Sequence, residues 1–342
     1  MTSPGHTRAS PAAVAVALLI VYVVWGSTYF GIAVMIQTMP PLLAAGVRYG
    51  LAGALMLGGL IAYAWWRGRG RGRTAPAERP TAAHWRSAFI AGTLLLLGGN
   101  GGVVLSELYI PSGVSAVLVA TVPIWLAVFD ALVTRRRPSR LVVGGLIAGM
   151  IGVSVLVVPV EGLAQINPIG VLLVVGATIC WAAGSLYARH APLPRSGLLA
   201  TGIEMLAGGF SLVVVGSVLG EIGQLDASRF SGESIAAFVY LVIFGSIVAF
   251  TAYTWLLAHA PVSTVATYAY VNPIVAVALG AVFLAEPITA RTLIAGAIIL
   301  GAVVAMVSGR PRTSEDHDTA TETGDGAVVT PVPVSVTEER DS

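Results

Sequence analysis

The 342-residue chain has no lysine; all 19 of its basic residues are arginine. It has one cysteine, Cys180, inside an apolar run, so no disulfide can close within the chain. Charge of either sign is scarce. Only 11% of residues are charged, against about 25% in a typical soluble domain. A large soluble core is thereby excluded, because too little polar sequence remains to cover it. The histidines His6, His84, His190, His259 and His317 are scattered over tails and loops without metal-ligand spacing, so no metal is expected. No Ser/His/Asp or paired-carboxylate set is apparent, which argues against an enzyme, and no cofactor is implied. Gly98-Gly-Asn-Gly-Gly102 lies inside an apolar run and lacks the Lys-Ser/Thr sequel of a phosphate loop.

What the chain does have is hydrophobic residues, 56% of the total, in runs of about 20 that recur along nearly the whole length. Each run is long enough to cross a bilayer core of ~30 Å as a helix. Ten spans are expected, near residues 12–35, 41–66, 87–107, 113–134, 141–160, 168–188, 197–219, 234–257, 262–284 and 292–309. The first run continues to about Val34, longer than the core of a signal peptide, and is read as a membrane helix. Turn residues mark the cuts at Pro40-Pro41, Ile110-Pro111-Ser112-Gly113, Asn167-Pro168, Ala260-Pro261 and Glu286-Pro287.

The arginines give an orientation. With the N-terminus inside, 16 of the 19 fall on the cytoplasmic side, Arg229 and Arg291 fall in outside loops, and Arg48 lies within a span. Such a bias predicts cytoplasmic termini and an even number of spans. The run RGRGRGR at 67–73 is read as a cytoplasmic anchor beside Trp65-Trp66 rather than as a nucleic-acid tract. The polar segment 310–342 lacks apolar periodicity and is expected to be a disordered cytoplasmic tail, and residues 1–11 a short cytoplasmic N-terminus.

The sequence also repeats itself. Trp25, Gly46, Arg48 and Gly53 align with Trp181, Gly202, Glu204 and Gly209 at an offset of 156. Pro111, Ala116 and Pro123 align with Pro261, Ala266 and Pro273 at 150, and Gly144 and Gly149 with Gly296 and Gly301 at 152. The units 12–160 and 168–309 would each hold five spans. Two tandem copies of an odd-span unit insert with opposite orientation, the architecture of many secondary transporters. The fold class expected is therefore an all-α polytopic membrane protein built from two inverted five-helix repeats. The Arg135-Arg-Arg-Pro138 and Ala285-Glu-Pro287 endings fit, since the same structural loop would lie inside in one copy and outside in the other.

Trp25-Gly26-Ser27, Asn272-Pro273 and Leu284-Ala-Glu-Pro-Ile-Thr289, with Gly296 and Gly301 in the last span, resemble the EamA-type members of the drug/metabolite transporter superfamily. The resemblance covers about residues 12 to 309. Arg137 departs from it, standing where an acidic residue is common. The resemblance implies a carrier of the bacterial cytoplasmic membrane, in most members an exporter of amino acids, related metabolites or toxic organic compounds. It further implies a substrate cavity lined by spans other than the fifth and tenth.

Four charges fall within the expected spans. Glu107 and Asp130 lie near span ends and read as interfacial. Arg48 and Glu204 lie deeper, about seven residues or ~10 Å inside their helices. They either snorkel to the nearest interface or face the cavity, Arg48 meeting a carboxylate and Glu204 a cation or proton. Aromatic and amide residues in the cavity-candidate spans complete the expected substrate site: Trp25, Tyr29, Asn100, Trp125, Trp181, Tyr253, Tyr268, Tyr270 and Asn272. Pro123 and Pro273 are candidate hinges, because proline removes a backbone donor and kinks a helix. The expected partners are a small organic solute, the lipid bilayer and a coupling proton or counter-substrate, with no nucleic acid. An uptake permease for similar solutes is the alternative, and a membrane-embedded enzyme or sensor the alternative from another class.

Overall fold

The computed structural model describes residues 10–70, 78–135, 140–157, 166–260 and 268–308. Every regular element among them is helical. The expectations for the terminal segments 1–9 and 310–342, and for the loop arginines Arg136 and Arg137, lie outside the described residues. In order the elements are α1 (Pro11–Met35), α2 (Pro41–Gly70), α3 (Ala82–Ser106), α4 (Ser112–Val119), α5 (Val122–Thr134) and α6 (Arg140–Val157). They continue with α7 (Pro168–His190), α8 (Gly197–Val218), α9, α10 (Tyr268–Phe283) and α11 (Ala290–Ser308). The helix α9 runs without a break through Gly232–Tyr240, Leu241–Val248 and Ala249–His259.

Six of these helices are long and apolar enough to cross a membrane: α1, α3, α7, α8, Pro41–Trp66 of α2 and Gly232–Leu256 of α9. Ser112–Leu126, Val271–Phe283 and Ala290–Ala302 are shorter apolar stretches. In hydrocarbon every backbone N–H and C=O must be satisfied within the segment, which leaves the helix as the solution for a lone apolar run. The helices are apolar on their outer faces as well. Leu172 is 71% exposed and Val282 74%, while Val21 and Leu212 are fully buried. A helix greasy all round belongs in lipid.

Packing pairs the two halves of the chain. The helices α2 and α8 run against each other, as do α6 and α11. The remaining contacts come in matched sets. α3 packs on α7 and α1 on α9; α1 packs on α10 and α5 on α7; α3 packs on α8 and α2 on α9. The α2–α8 crossing rests on glycine. A methyl group on Gly46 would come within 2.9 Å of the Gly209 oxygen, and one on Gly53 within 2.8 Å of the Gly202 oxygen. Backbones approach this closely only where no Cβ intervenes. Gly46 and Gly202 are sequence equivalents, as are Gly53 and Gly209, so each glycine meets the partner of the other.

Two helices depart from α geometry at matching places. Thr93–Gly101 in α3 and Leu241–Val248 in α9 are π-helical, with a wider turn that leaves carbonyls free for other partners. The expected fourth span is broken: α4 ends at Val119, α5 begins at Val122, and Thr121 lies between them.

Helix starts are capped in two ways. Ser10, Thr81, Asn167, Ser196 and Ser231 cap locally, each accepting from a backbone N–H two or three residues on. Three helices are also capped from far away. The N–H groups of Leu42 and Leu43, opening α2, donate to Glu221 at 3.1 and 2.8 Å. Those of Ser112 and Gly113, opening α4, donate to Glu286 at 2.9 and 3.2 Å, and the Ser112 hydroxyl donates to it at 3.0 Å. Those of Arg195 and Ser196, opening α8, donate to Glu78 at 3.1 and 3.2 Å. A helix N-terminus offers unpaired N–H groups and a partial positive charge, and a carboxylate answers both. Gly220 (φ +86°) and Ala285 (φ +52°) take left-handed conformations immediately before Glu221 and Glu286, turning the chain so that each carboxylate points back at the bundle.

Candidate functional site

Between the matched helices lies a cavity of about 100 Å³, room for several waters. Its walls come from α1, α2, α3, α4, α5, α7, α9 and α10, with none from α6, α8 or α11. Seven of the residues expected at the substrate site line it together: Trp25, Tyr29, Arg48, Asn100, Trp181, Tyr268 and Asn272. The candidate hinge Pro273 joins them, as do Thr28, Tyr49, Thr178 and Phe250, which sequence reasoning did not single out. Tyr49 was detectable as the immediate neighbour of a buried charge. The threonines carry no sequence signal that separates them from helix-packing hydroxyls.

Arg48 is 3% exposed. Its Nη2 donates to the side-chain oxygen of Asn100 at 3.1 Å, and its guanidinium lies 4.1 Å from the centre of the Tyr49 ring. Nε and Nη1 have no acceptor. The side chain is thus enclosed at the cavity and does not snorkel. A buried cation without full compensation is expensive at membrane depth, at least ~2.5–3.5 kcal/mol on insertion scales.

Aromatic residues cluster at the same cavity. Trp25 packs against Phe250 at 5.2 Å, Tyr253 at 4.9 Å and Tyr268 at 5.2 Å between ring centroids. Its indole N–H donates to the Gly245 oxygen at 3.3 Å, inside the π-helical stretch of α9. Trp181, its sequence equivalent, lies against Gly99 in the π-helical stretch of α3. Each tryptophan therefore seats on the widened helix of the other half. Asn272 is 5% exposed. With its amide nitrogen as donor it reaches the backbone oxygens of Tyr22 at 3.2 Å and Tyr268 at 3.1 Å, tying α10 to α1 beside Pro273.

A family model for EamA-like transporters matches the chain twice, over residues 12–158 and 168–308. The chain belongs to the EamA-like transporter family. Among its relatives is an Escherichia coli (strain K12) protein named as the uncharacterized inner membrane transporter YedA. The two are 37% identical over 295 residues, which cover 86% of this chain and 90% of that one. The uncharacterized transporter YvbV of Bacillus subtilis (strain 168) is 24% identical over 87% of this chain and 93% of its own. Protein PecM of Dickeya dadantii (strain 3937) is 26% identical over 82% and 88%. A solved crystal structure with 18% identity superposes on 86% of this chain and 96% of its own with a TM-score of 0.57, and shares the fold.

Other residues expected at the EamA-like site lie off the cavity lining. Tyr253 stands behind it, at 5.9 Å from Tyr268. Trp125 is partly buried in α5, with its indole nitrogen enclosed and unpartnered. Glu204 is partly buried on α8, which contributes no lining residue. The side chains of Tyr270 and Asp130 lie outside the described residues. The two prolines differ: Pro273 is inside α10, whereas Pro123 is in the first turn of α5, after the break. There it starts a helix, where a missing N–H leaves nothing unpaired. Glu107, expected at the interface, is partly buried at the end of α3, with both carboxylate oxygens enclosed and unpartnered. Arg291, expected in an outside loop, is 8% exposed. It lies in the first turn of α11 because that helix begins at Ala290, and its Nε donates to the Val155 oxygen of α6.

Proposed function

We propose that the protein is a secondary transporter of the cytoplasmic membrane that exports a small organic metabolite or toxic compound by alternating access. In this reading ten spans form two inverted five-helix repeats, with α4 and α5 together counting as one, and both termini are cytoplasmic. The observation that carries it is the exchange of contacts between halves around one cavity: α1 on α9 and α3 on α7, each tryptophan on the opposite π-helical stretch. Such a two-fold arrangement supports two mirror states of nearly equal energy, one open to each side. Trp25, Tyr29, Arg48, Asn100, Trp181 and Asn272 would hold the solute, and Pro273 would mark a hinge. A proton or counter-substrate gradient would drive any uphill step, since the sequence carries no ATP-binding motif.

The test is a metabolite screen of bacteria expressing the chain, fed with dipeptides and toxic analogues. Accumulation of one compound class in the medium, above cells lacking the protein, is the expected result. Faster depletion of a solute from the medium would replace export by uptake. No difference across the whole panel would count against transport of these solutes.

A further inference from the structure

We infer that the transported solute carries a carboxylate and an apolar, ring-bearing body, and that Arg48 is its anion ligand. The inference rests on the transport reading and adds the substrate class to it. Among the described residues Arg48 is the one charged side chain lining the cavity. The ion pair among those residues is Arg229 with Asp226, an exposed contact at 3.3 Å, and Arg48 forms none. Yet its head is built in. Asn100 takes Nη2, the Tyr49 ring takes one face of the guanidinium, and Nε and Nη1 are left without acceptors. Nη2 carries two hydrogens; Asn100 takes one, and the other completes an edge with Nε or with Nη1, which matches one carboxylate taking two parallel N–H bonds. One cation favours a monoanion over a phosphate dianion. The lining also carries the aromatic residues Trp25, Tyr29, Trp181, Phe250 and Tyr268, against which a ring can pack.

A competing explanation is internal: Arg48 could serve to balance Glu107, whose two oxygens are also enclosed and unpartnered. The experiment separates the two. The full chain is reconstituted in liposomes and challenged with three probes of nearly one shape. These are N-acetylphenylalanine (anion), its primary amide (neutral) and phenylalaninamide (cation). Binding is read by tryptophan fluorescence and transport by counterflow.

The expected result is saturable binding and counterflow of the anion, at least tenfold above the amide and the cation. Arg48→Gln should lose that preference tenfold or more, and Arg48→Lys should keep part of it. Monodisperse elution of each variant controls for folding. Equal handling of all three probes by wild type and by Arg48→Gln would overturn the anion assignment while leaving the transporter reading intact. Rescue of Arg48→Gln by Glu107→Gln would reassign Arg48 to internal charge balance and overturn the inference. Failure of every probe to bind or exchange would sink both this inference and the transport reading for ring-bearing solutes.

Discussion

Glu221 and Glu78 perform the same task at related places, under different conditions. Glu221, just after α8, caps the start of α2; Glu78, between α2 and α3, caps the start of α8. Each half thus lends a carboxylate to the other half's equivalent helix. Glu221 is 6% exposed and its bonds to Leu42 and Leu43 are buried. The bonds of Glu78 lie in solvent. Glu286, which caps the start of α4, stands between the two. Burial decides what such a cap is worth. In solvent, water replaces a lost carboxylate at little cost. In a dry junction the freed N–H groups have nothing else to bond.

That ordering can be broken by mutation. Glu221→Ala should show the largest loss, about 1.5–3 kcal/mol, because it strands the buried N–H groups of Leu42 and Leu43. A clear drop in melting temperature in detergent checks this, and an unchanged melt would remove burial as the deciding factor. Glu286→Ala should cost about 1–2 kcal/mol, since three bonds are lost but the site is only partly enclosed. Ala285→Gly should stabilise by up to about 1 kcal/mol, as glycine adopts the positive φ without the Cβ clash. It leaves the carboxylate in place and so separates strain at the turn from the bond it delivers.

Glu78→Gln should have the smallest effect, and one that depends on pH. The N–H groups of Arg195 and Ser196 hold the Glu78 carboxyl below its ordinary value of 4.5. A lowered folded-state pKa gives stability that is present above the ordinary value and lost as pH falls through the lowered one. The melting difference between wild type and Glu78→Gln should be flat from neutral pH down to about 5, then shrink under further acid. A difference that grew with acid would reverse the sign.

How legible these features were in the sequence depended on how far their causes reached. Helices such as α1 and α7 were legible because an uninterrupted apolar run has one backbone solution in lipid, and Pro40-Pro41 and Asn167-Pro168 cut the runs where they end. Arg48 was legible because a charge seven residues inside such a run demands a reason. The aromatic residues Trp25 and Trp181 were legible through their repeat. The capping carboxylates were not, since their partners lie 173 to 179 residues away for Glu286 and Glu221. Nor was the break at Thr121, where Pro123 looked like an interior kink and instead opens α5. Glu204 marks the limit of arguing from equivalence. It shares a repeat position with Arg48, yet α8 gives no residue to the cavity lining while α2 brings Arg48 to it.

The π-helical stretches have an evolutionary consequence. A wide turn accommodates one residue more than the α register around it. Losing a single codon within Thr93–Gly101 would let α3 close into an ordinary helix without breaking it. Because the wide turn absorbs the extra residue, the helix beyond the deletion would keep its register and its packing. The change would stay within the stretch that carries Asn100 to Arg48 and Gly99 to Trp181. In a lineage of such carriers, one in-frame deletion is therefore a route to a new cavity wall on an unchanged scaffold.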